Sequence, residues 1–144
     1  MKVSTLALAI VLFATPALAA SEAVMHRDSG CGCCEKWATQ VRKAFGRAVR
    51  VVDDANRAAL QRKLGLPAHL ASCHTALIDG MAFEGHVPIA DMKRVLAAKP
   101  KGVRGLAVAG MPIGSPGMEV RGVASDRYQV IAFGASKPVV FSKH

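Results

Sequence analysis

The chain has 144 residues, of which 51% are hydrophobic but only one is Trp and one is Tyr, and its net charge at pH 7 is +9. A charge of this size is compatible with a nucleic acid or another anionic partner. The basic residues, among them Arg42, Arg57 and Lys93, are scattered between apolar positions of predicted helices. With so few aromatic residues to stack on bases, we interpret the charge as a solvated basic face and expect no nucleic-acid partner.

Residues 1–19 have the plan of a secretory signal peptide. Lys2 supplies a positive start, residues 6–13 form an apolar core, and Ala17-Leu18-Ala19 is a small-x-small cleavage site. The apolar run is too short to span a bilayer comfortably. We expect cleavage after Ala19, export to the periplasm without stable membrane insertion, and one mature domain over residues 20–144.

The mature chain alternates between strand and helix patterns. Apolar residues at three- and four-residue steps predict a helix over about 31–45, which begins at a group of cysteines. Asp54 or Asn56 can cap a second helix that ends at Gly65. A third helix is predicted between Pro88 and Pro100. The predicted strands are residues 23–26, 48–52, 75–78 and 81–84, the last two joined by the tight turn Asp79-Gly80.

This order, β-α-β-α-β-β-α, predicts an α/β protein with a single thioredoxin-like domain. Such a domain has a mixed sheet flanked by helices, and its first helix would start at the cysteines. After Pro100, glycine and proline recur through residue 117, which indicates irregular backbone. Residues 128–133 and 139–141 predict two closing strands.

Three of the four cysteines lie in the stretch GCGCCEKW, residues 30–37. Only Cys31 and Cys34 have the C-x-x-C spacing of a normal redox pair, because closer cysteines rarely meet disulfide geometry. Free N–H groups and the helix dipole at a helix start favour thiolate. Thiolate is the reactive form for disulfide exchange and also the form that binds metal.

Three interpretations follow: a structural disulfide framework, a dithiol oxidoreductase, or a thiolate metal site. The additional Cys33 favours the metal site, because a third thiol inside an exchanging pair would scramble disulfides. A single zinc ion usually takes cysteine pairs from separate segments, whereas crowded sulfurs can bridge several Cu(I) ions. In the predicted fold the segment SCHT, residues 72–75, faces the start of the first helix, so that Cys73 would complete the group.

These motifs resemble those of a known family, the periplasmic copper-resistance proteins called CopG-like. The similarity covers essentially the whole mature chain, and the resemblance implies a thioredoxin-like fold with a copper site held by Cys31, Cys33, Cys34 and Cys73. The chain departs from the family at Gln40, where a histidine is common, and at Ala109, where a proline is usual. The matching segments are CGCCEKW (31–37), LASCHT (70–75), DGMAFEGHVP (79–88), GLAV (105–108) and GMPIGSPGMEV (110–120).

Four further residues are candidate copper ligands. His74 and His86 carry imidazoles, which often bind metals, although a structural hydrogen bond is the favoured explanation for His86. Met111 and Met118 carry thioethers that suit Cu(I), although methionine more often fills gaps in a core.

We therefore expect a periplasmic protein that holds Cu(I), as a cysteine-bridged cluster, for copper tolerance. It would store copper, pass it on or change its oxidation state, and its partners would be copper ions and other periplasmic copper-handling proteins. A metal-binding protein is favoured over an enzyme. The alternatives are a thiol–disulfide oxidoreductase acting on exported proteins and a zinc-dependent structural module.

The first prediction concerns export. Mass spectrometry of the periplasmic fraction should give the mass of a chain that begins at Ala20, because the small residues Ala17 and Ala19 fit the cleavage site. The variant Ala19→Arg should remain uncleaved. Wild-type protein that retains Met1 in a membrane fraction would contradict the prediction.

Overall fold

The computed structural model describes residues 22–134 and 137–144, so the predicted signal peptide lies outside the described residues. No helix in the described part of the chain is long and apolar enough to cross a membrane. A 3-10 turn, Ala68–Leu70, precedes the third strand. The helices and strands, in chain order, are β1 (Ala23–Arg27), α1 (Gly32–Phe45), β2 (Val49–Asp53), α2 (Arg57–Leu64), β3 (His74–Ile78), β4 (Met81–Glu84), α3 (Ile89–Ala98), β5 (Val103–Ala107), β6 (Gln129–Gly134) and β7 (Val139–Lys143).

Within the described residues the strands form one seven-stranded mixed sheet, in the order β2-β1-β3-β4-β5-β6-β7. Strands β1 and β2 are parallel, as are β4 and β5, and the other neighbours are antiparallel. Residues 22–134 and 137–144 thus form an α/β fold with three α-helices and a mixed sheet.

The sheet separates two groups of buried apolar side chains. The larger group joins α1 and α3 to the sheet through residues such as Trp37, Phe83 and Met92. The smaller group contains Ala82, together with Leu66 and Leu70 from the segment that follows α2. Neighbouring residues of a strand point to opposite faces, so Ala82 and Phe83 serve different groups. Trp37 is wholly buried, and its Nε1 donates to the carbonyl of Val87 at 3.0 Å.

Strand β5 was not predicted from the sequence. Its residues, VRGLA, include an arginine and a glycine and show no alternating pattern, and they belong to the segment predicted to be irregular. In the structure β5 lies between β4 and β6 and buries Leu106 and Ala107. A strand enclosed by two neighbours is specified by those neighbours as much as by its own composition.

The second prediction tests the larger core. Phe83→Ala should lower the free energy of unfolding by about 3–5 kcal/mol, because it removes a fully buried ring from a packed interior. Urea denaturation, with the cysteines of both proteins held in the same redox state, gives the value. Val139→Ala is the control: this side chain is 58% exposed, and its loss should change stability by less than about 0.5 kcal/mol. A loss below about 1 kcal/mol for Phe83→Ala would contradict this account of the core.

Candidate metal centre

The four cysteines come together at the start of α1. Cys31 occupies the N-cap position, and Cys33 and Cys34 lie in the first turn. Cys73 directly precedes β3, whose antiparallel pairing with β1 returns the chain to the same place. The Sγ of Cys33 lies 3.3 Å from that of Cys31, and the Sγ of Cys73 lies 3.4 Å from that of Cys34. Cys73 is therefore beside the CGCC sulfurs, as the sequence predicted.

In this structure Cys31 and Cys34 form a disulfide, with their Cα atoms 5.4 Å apart. They are the pair that the C-x-x-C spacing identified. Cys33 and Cys73 are free thiols, one near each end of the disulfide. Two-electron reduction converts the disulfide to two thiols and makes all four sulfurs available to a metal. The sulfurs lie within 4.8 Å of one another, a separation that permits a shared metal site.

Two imidazoles lie next to the sulfur of Cys73. The Cys73 Sγ lies 3.3 Å from Nε2 of His86 and 3.6 Å from Nδ1 of His74. The Nδ1 of His86 is 2.8 Å from the carbonyl oxygen of Pro116, which can only accept a hydrogen bond. Nδ1 therefore carries the proton, and in the neutral ring the lone pair of Nε2 faces the sulfur. Cys73, His74 and His86 form a second group that can hold a metal ion.

Both histidines are neutral at ordinary pH. Burial lowers the pKa of His86 and holds the pKa of His74 well below its usual value. The ring of His74 packs against Trp37, with centroids 4.5 Å apart. Its Nε2 is buried and has no hydrogen-bond partner among the described residues. The Nδ1 of His74 is the ring atom that approaches Cys73.

The glycine- and proline-rich segment after β5 packs against the cysteines. A Cβ on Gly117 would lie 2.7 Å from the carbonyl oxygen of Cys33 and 2.9 Å from the backbone nitrogen of Trp37, and its φ is +86°. Only glycine meets both requirements without displacing α1. The same segment places Met111 at the surface, 52% exposed, and Met118 half-buried. The structure thus locates both methionines on the segment that covers the site.

Two charged residues near the site were not predicted to be functional. Glu84 is wholly buried at the end of β4, where burial raises its pKa. Arg57 was assigned to the solvated basic face, and this was wrong, because its side chain is 10% exposed and lies 2.6 Å from Asp28. The one sequence signal for Glu84 is a carboxylate in the otherwise apolar strand MAFE. Gln40, at the position of the family histidine, donates to Glu119 at 2.8 Å.

The third prediction concerns the pH dependence of Cys73. Burial raises the pKa of this thiol to about 11, and the thiolate is the nucleophile. In the disulfide form, its rate of alkylation by iodoacetamide should rise about tenfold per pH unit up to pH ~10, because the thiolate fraction does so below the pKa. Peptide mapping by mass spectrometry gives the rate at Cys73. An unfolded cysteine peptide is the control and should level off above pH ~8.5; a plateau below pH ~9 at Cys73 would contradict the prediction.

Comparison with known proteins gives the same family that the motifs suggested. Residues 70–118 match the family described as protein of unknown function, DUF411. A solved structure named copper resistance protein copG, form 1, is 38% identical, with a TM-score of 0.78, and the match covers 88% of this chain and 98% of that chain. Form 2 is 39% identical, with a TM-score of 0.76 and coverage of 85% and 97%. No curated protein matches. The chain belongs to the CopG family of copper resistance proteins.

Proposed function

We propose that this protein is exported to the periplasm and binds Cu(I) there, through its four cysteines, as part of copper resistance. The observation that carries the proposal is the convergence of four sulfurs within 4.8 Å. Thiolate sulfur is a soft donor, and soft donors select Cu(I). The relatives of known structure are named copper resistance proteins. The plan of residues 1–19 supports export.

We infer further that residues 20–144 form a thioredoxin-like domain. The strand order β2-β1-β3-β4 supports this inference, as do the parallel β1–β2 pair and the antiparallel β3 and β4. In such a domain a helix that follows the first strand begins at the reactive cysteines. Helix α1 begins in this way, with Cys31 as its N-cap.

More than one copper ion per chain accounts best for the spacing of the cysteines. Cys33 and Cys34 are adjacent, so both cannot easily join Cys31 and Cys73 around one tetrahedral ion. A thiolate has enough lone pairs to bridge two metals, and low-coordinate Cu(I) ions fit such bridges. The proposed ligands are these four cysteines, and a cluster would satisfy all of them.

Four other side chains are proposed as supplementary ligands. His74 and His86 are supported by their neutral rings and their approach to Cys73. Met111 and Met118 are supported by their position on the segment that packs against the cysteines. Thiols must lose their protons to bind metal, so copper loading should release protons.

Formation of the Cys31–Cys34 disulfide would compete with copper binding. The oxidised protein retains only Cys33 and Cys73 as free thiols. Copper capacity should therefore depend on the redox state, and full loading requires two electrons to convert the disulfide to two thiolates. The periplasmic partners in this proposal are copper ions and other copper-handling proteins.

The disulfide also favours a second candidate function, thiol–disulfide exchange with exported proteins. Cys31 is partly exposed and Cys34 is buried, as in a pair with one attacking and one resolving thiol. Insulin reduction distinguishes the two functions. An exchanger should keep its turnover in Cys33→Ser, because the C-x-x-C pair remains.

The fourth prediction is that Cys33→Ser lowers the number of copper ions bound per reduced chain. The serine keeps the shape of the side chain but removes one bridging sulfur. Anaerobic titration with Cu(I), followed by desalting and metal analysis, gives the number. Wild-type protein oxidised to the Cys31–Cys34 disulfide is the matched control and should also bind fewer ions. If wild type saturates at one copper ion per chain and Cys33→Ser binds the same amount as tightly, the proposal of a multinuclear cluster is wrong.

A further inference from the structure

We propose that Glu84 is a positioning residue that fixes Cys73 at the copper site. The inference rests on the proposed function, because it takes Cys73 as a copper ligand. The alkylation part of its test does not need copper. Cys73 is the one cysteine of the four that α1 and its cap do not supply. Its distance from the other sulfurs must therefore be set by the segment before β3.

The carboxylate of Glu84 binds both sides of that segment. Its Oε1 accepts from the backbone nitrogen of Ser72 at 2.7 Å, one residue before Cys73. Its Oε2 accepts from Oγ1 of Thr75, two residues after Cys73. Thr75 and Glu84 are directly paired in the β3–β4 register. The Glu84 side chain thus binds the residue before Cys73 and the residue after His74.

The backbone after Glu84 reinforces the same contact. The nitrogen of Gly85 donates to the carbonyl of His74 at 2.8 Å. A Cβ on Gly85 would lie 2.7 Å from Cβ of Ser72, and its φ is +66°. The end of β4 therefore packs directly on the segment that carries Cys73, with no side chain between them.

The carboxylate is also tied to α2. Gln61 Nε2 donates to Oε1 at 2.8 Å, and Arg57 Nη1 lies 3.5 Å from the same oxygen. Nη2 of Arg57 donates to Asp28, and the backbone nitrogen of Asp28 donates to the carbonyl of Cys73 at 3.0 Å. The backbone around Cys73 is thus held in two ways: by Glu84 directly, and by Asp28, which Arg57 binds.

Burial of the Glu84 carboxylate has a free-energy cost that its partners must offset. A buried carboxylate is unfavourable unless its oxygens are satisfied by hydrogen bonds and an opposite charge. Glu84 is wholly buried and has those partners, and Ser72 and Thr75 flank a proposed ligand. Groups that orient metal ligands in this way typically contribute about 10–100-fold to metal affinity.

The test compares copper affinities of reduced protein by anaerobic competition with a Cu(I) chelator. Glu84→Ala should weaken binding about 10–100-fold. Glu84→Gln should restore most of the affinity, because its amide oxygen can accept from Ser72 while the Thr75 hydroxyl turns to accept from the amide nitrogen. Thr75→Val removes a single donor and should give a smaller loss, which keeps the test usable if Glu84→Ala fails to fold.

Asp91→Ala is the matched control. Asp91 is also a buried carboxylate, but it binds Ser142 at 2.8 Å and Arg94 at 3.0 Å. Its loss should lower the melting temperature and leave the affinity for copper unchanged. A purely structural role for Glu84 would instead make the two variants behave alike.

Two further readouts decide whether Glu84 acts through Cys73. In a Cys73→Ser background, Glu84→Ala should add no further loss of affinity, because coupled effects are not additive. In the disulfide form, Glu84→Ala should raise the alkylation rate of Cys73 relative to Cys33 in the same molecule. The proposal is overturned by an unchanged affinity together with an unchanged Cys73-to-Cys33 ratio. Wild-type protein that binds no copper would remove the proposed function, and the alkylation ratio would still decide the role of Glu84.

Discussion

The antiparallel pairing of β1 and β3 is the constraint on which the candidate metal centre depends. Strand β1 leads into α1, and β3 follows Cys73. Pairing the two strands places Arg27 opposite His74 and allows Asp28 to donate to the carbonyl of Cys73. Three cysteines from one helix start and a fourth from a distant segment thus become neighbours. A register shift of one residue would turn the segment's side chains to the other face of the sheet and separate the sulfurs.

Buried polar groups around this pairing define the chemistry of the site. His74 and His86 are held neutral by burial, so their nitrogens face Cys73 as uncharged donors or acceptors. Glu84 and Arg57 bring a carboxyl and a guanidinium group into the interior, 3.5 Å apart, and Glu84 also accepts from the backbone nitrogen of Ser72. The groups that contact the Cys73 sulfur therefore include uncharged imidazoles and other sulfurs.

Much of this could be predicted from the sequence, because it depends on local pattern. The spacing of Trp37 and Val41 identified α1, and the order of the predicted strands and helices was enough to bring Cys73 towards the cysteine motif. Strand β5 could not be found in this way, since the residues of VRGLA are held by their two neighbours. The pairing of Arg57 with Glu84 was also out of reach. The two residues are 27 positions apart, and no local pattern reveals a buried ion pair between distant segments.

A crystal structure of the reduced, copper-loaded protein, with the metal located by anomalous scattering at the copper edge, tests the central claim most directly. The account predicts more than one copper ion, each bound by sulfur, with ions bridged by the four cysteines and Cys73 among the ligands. A single copper ion, or copper held by side chains away from the CGCC motif and Cys73, would contradict it.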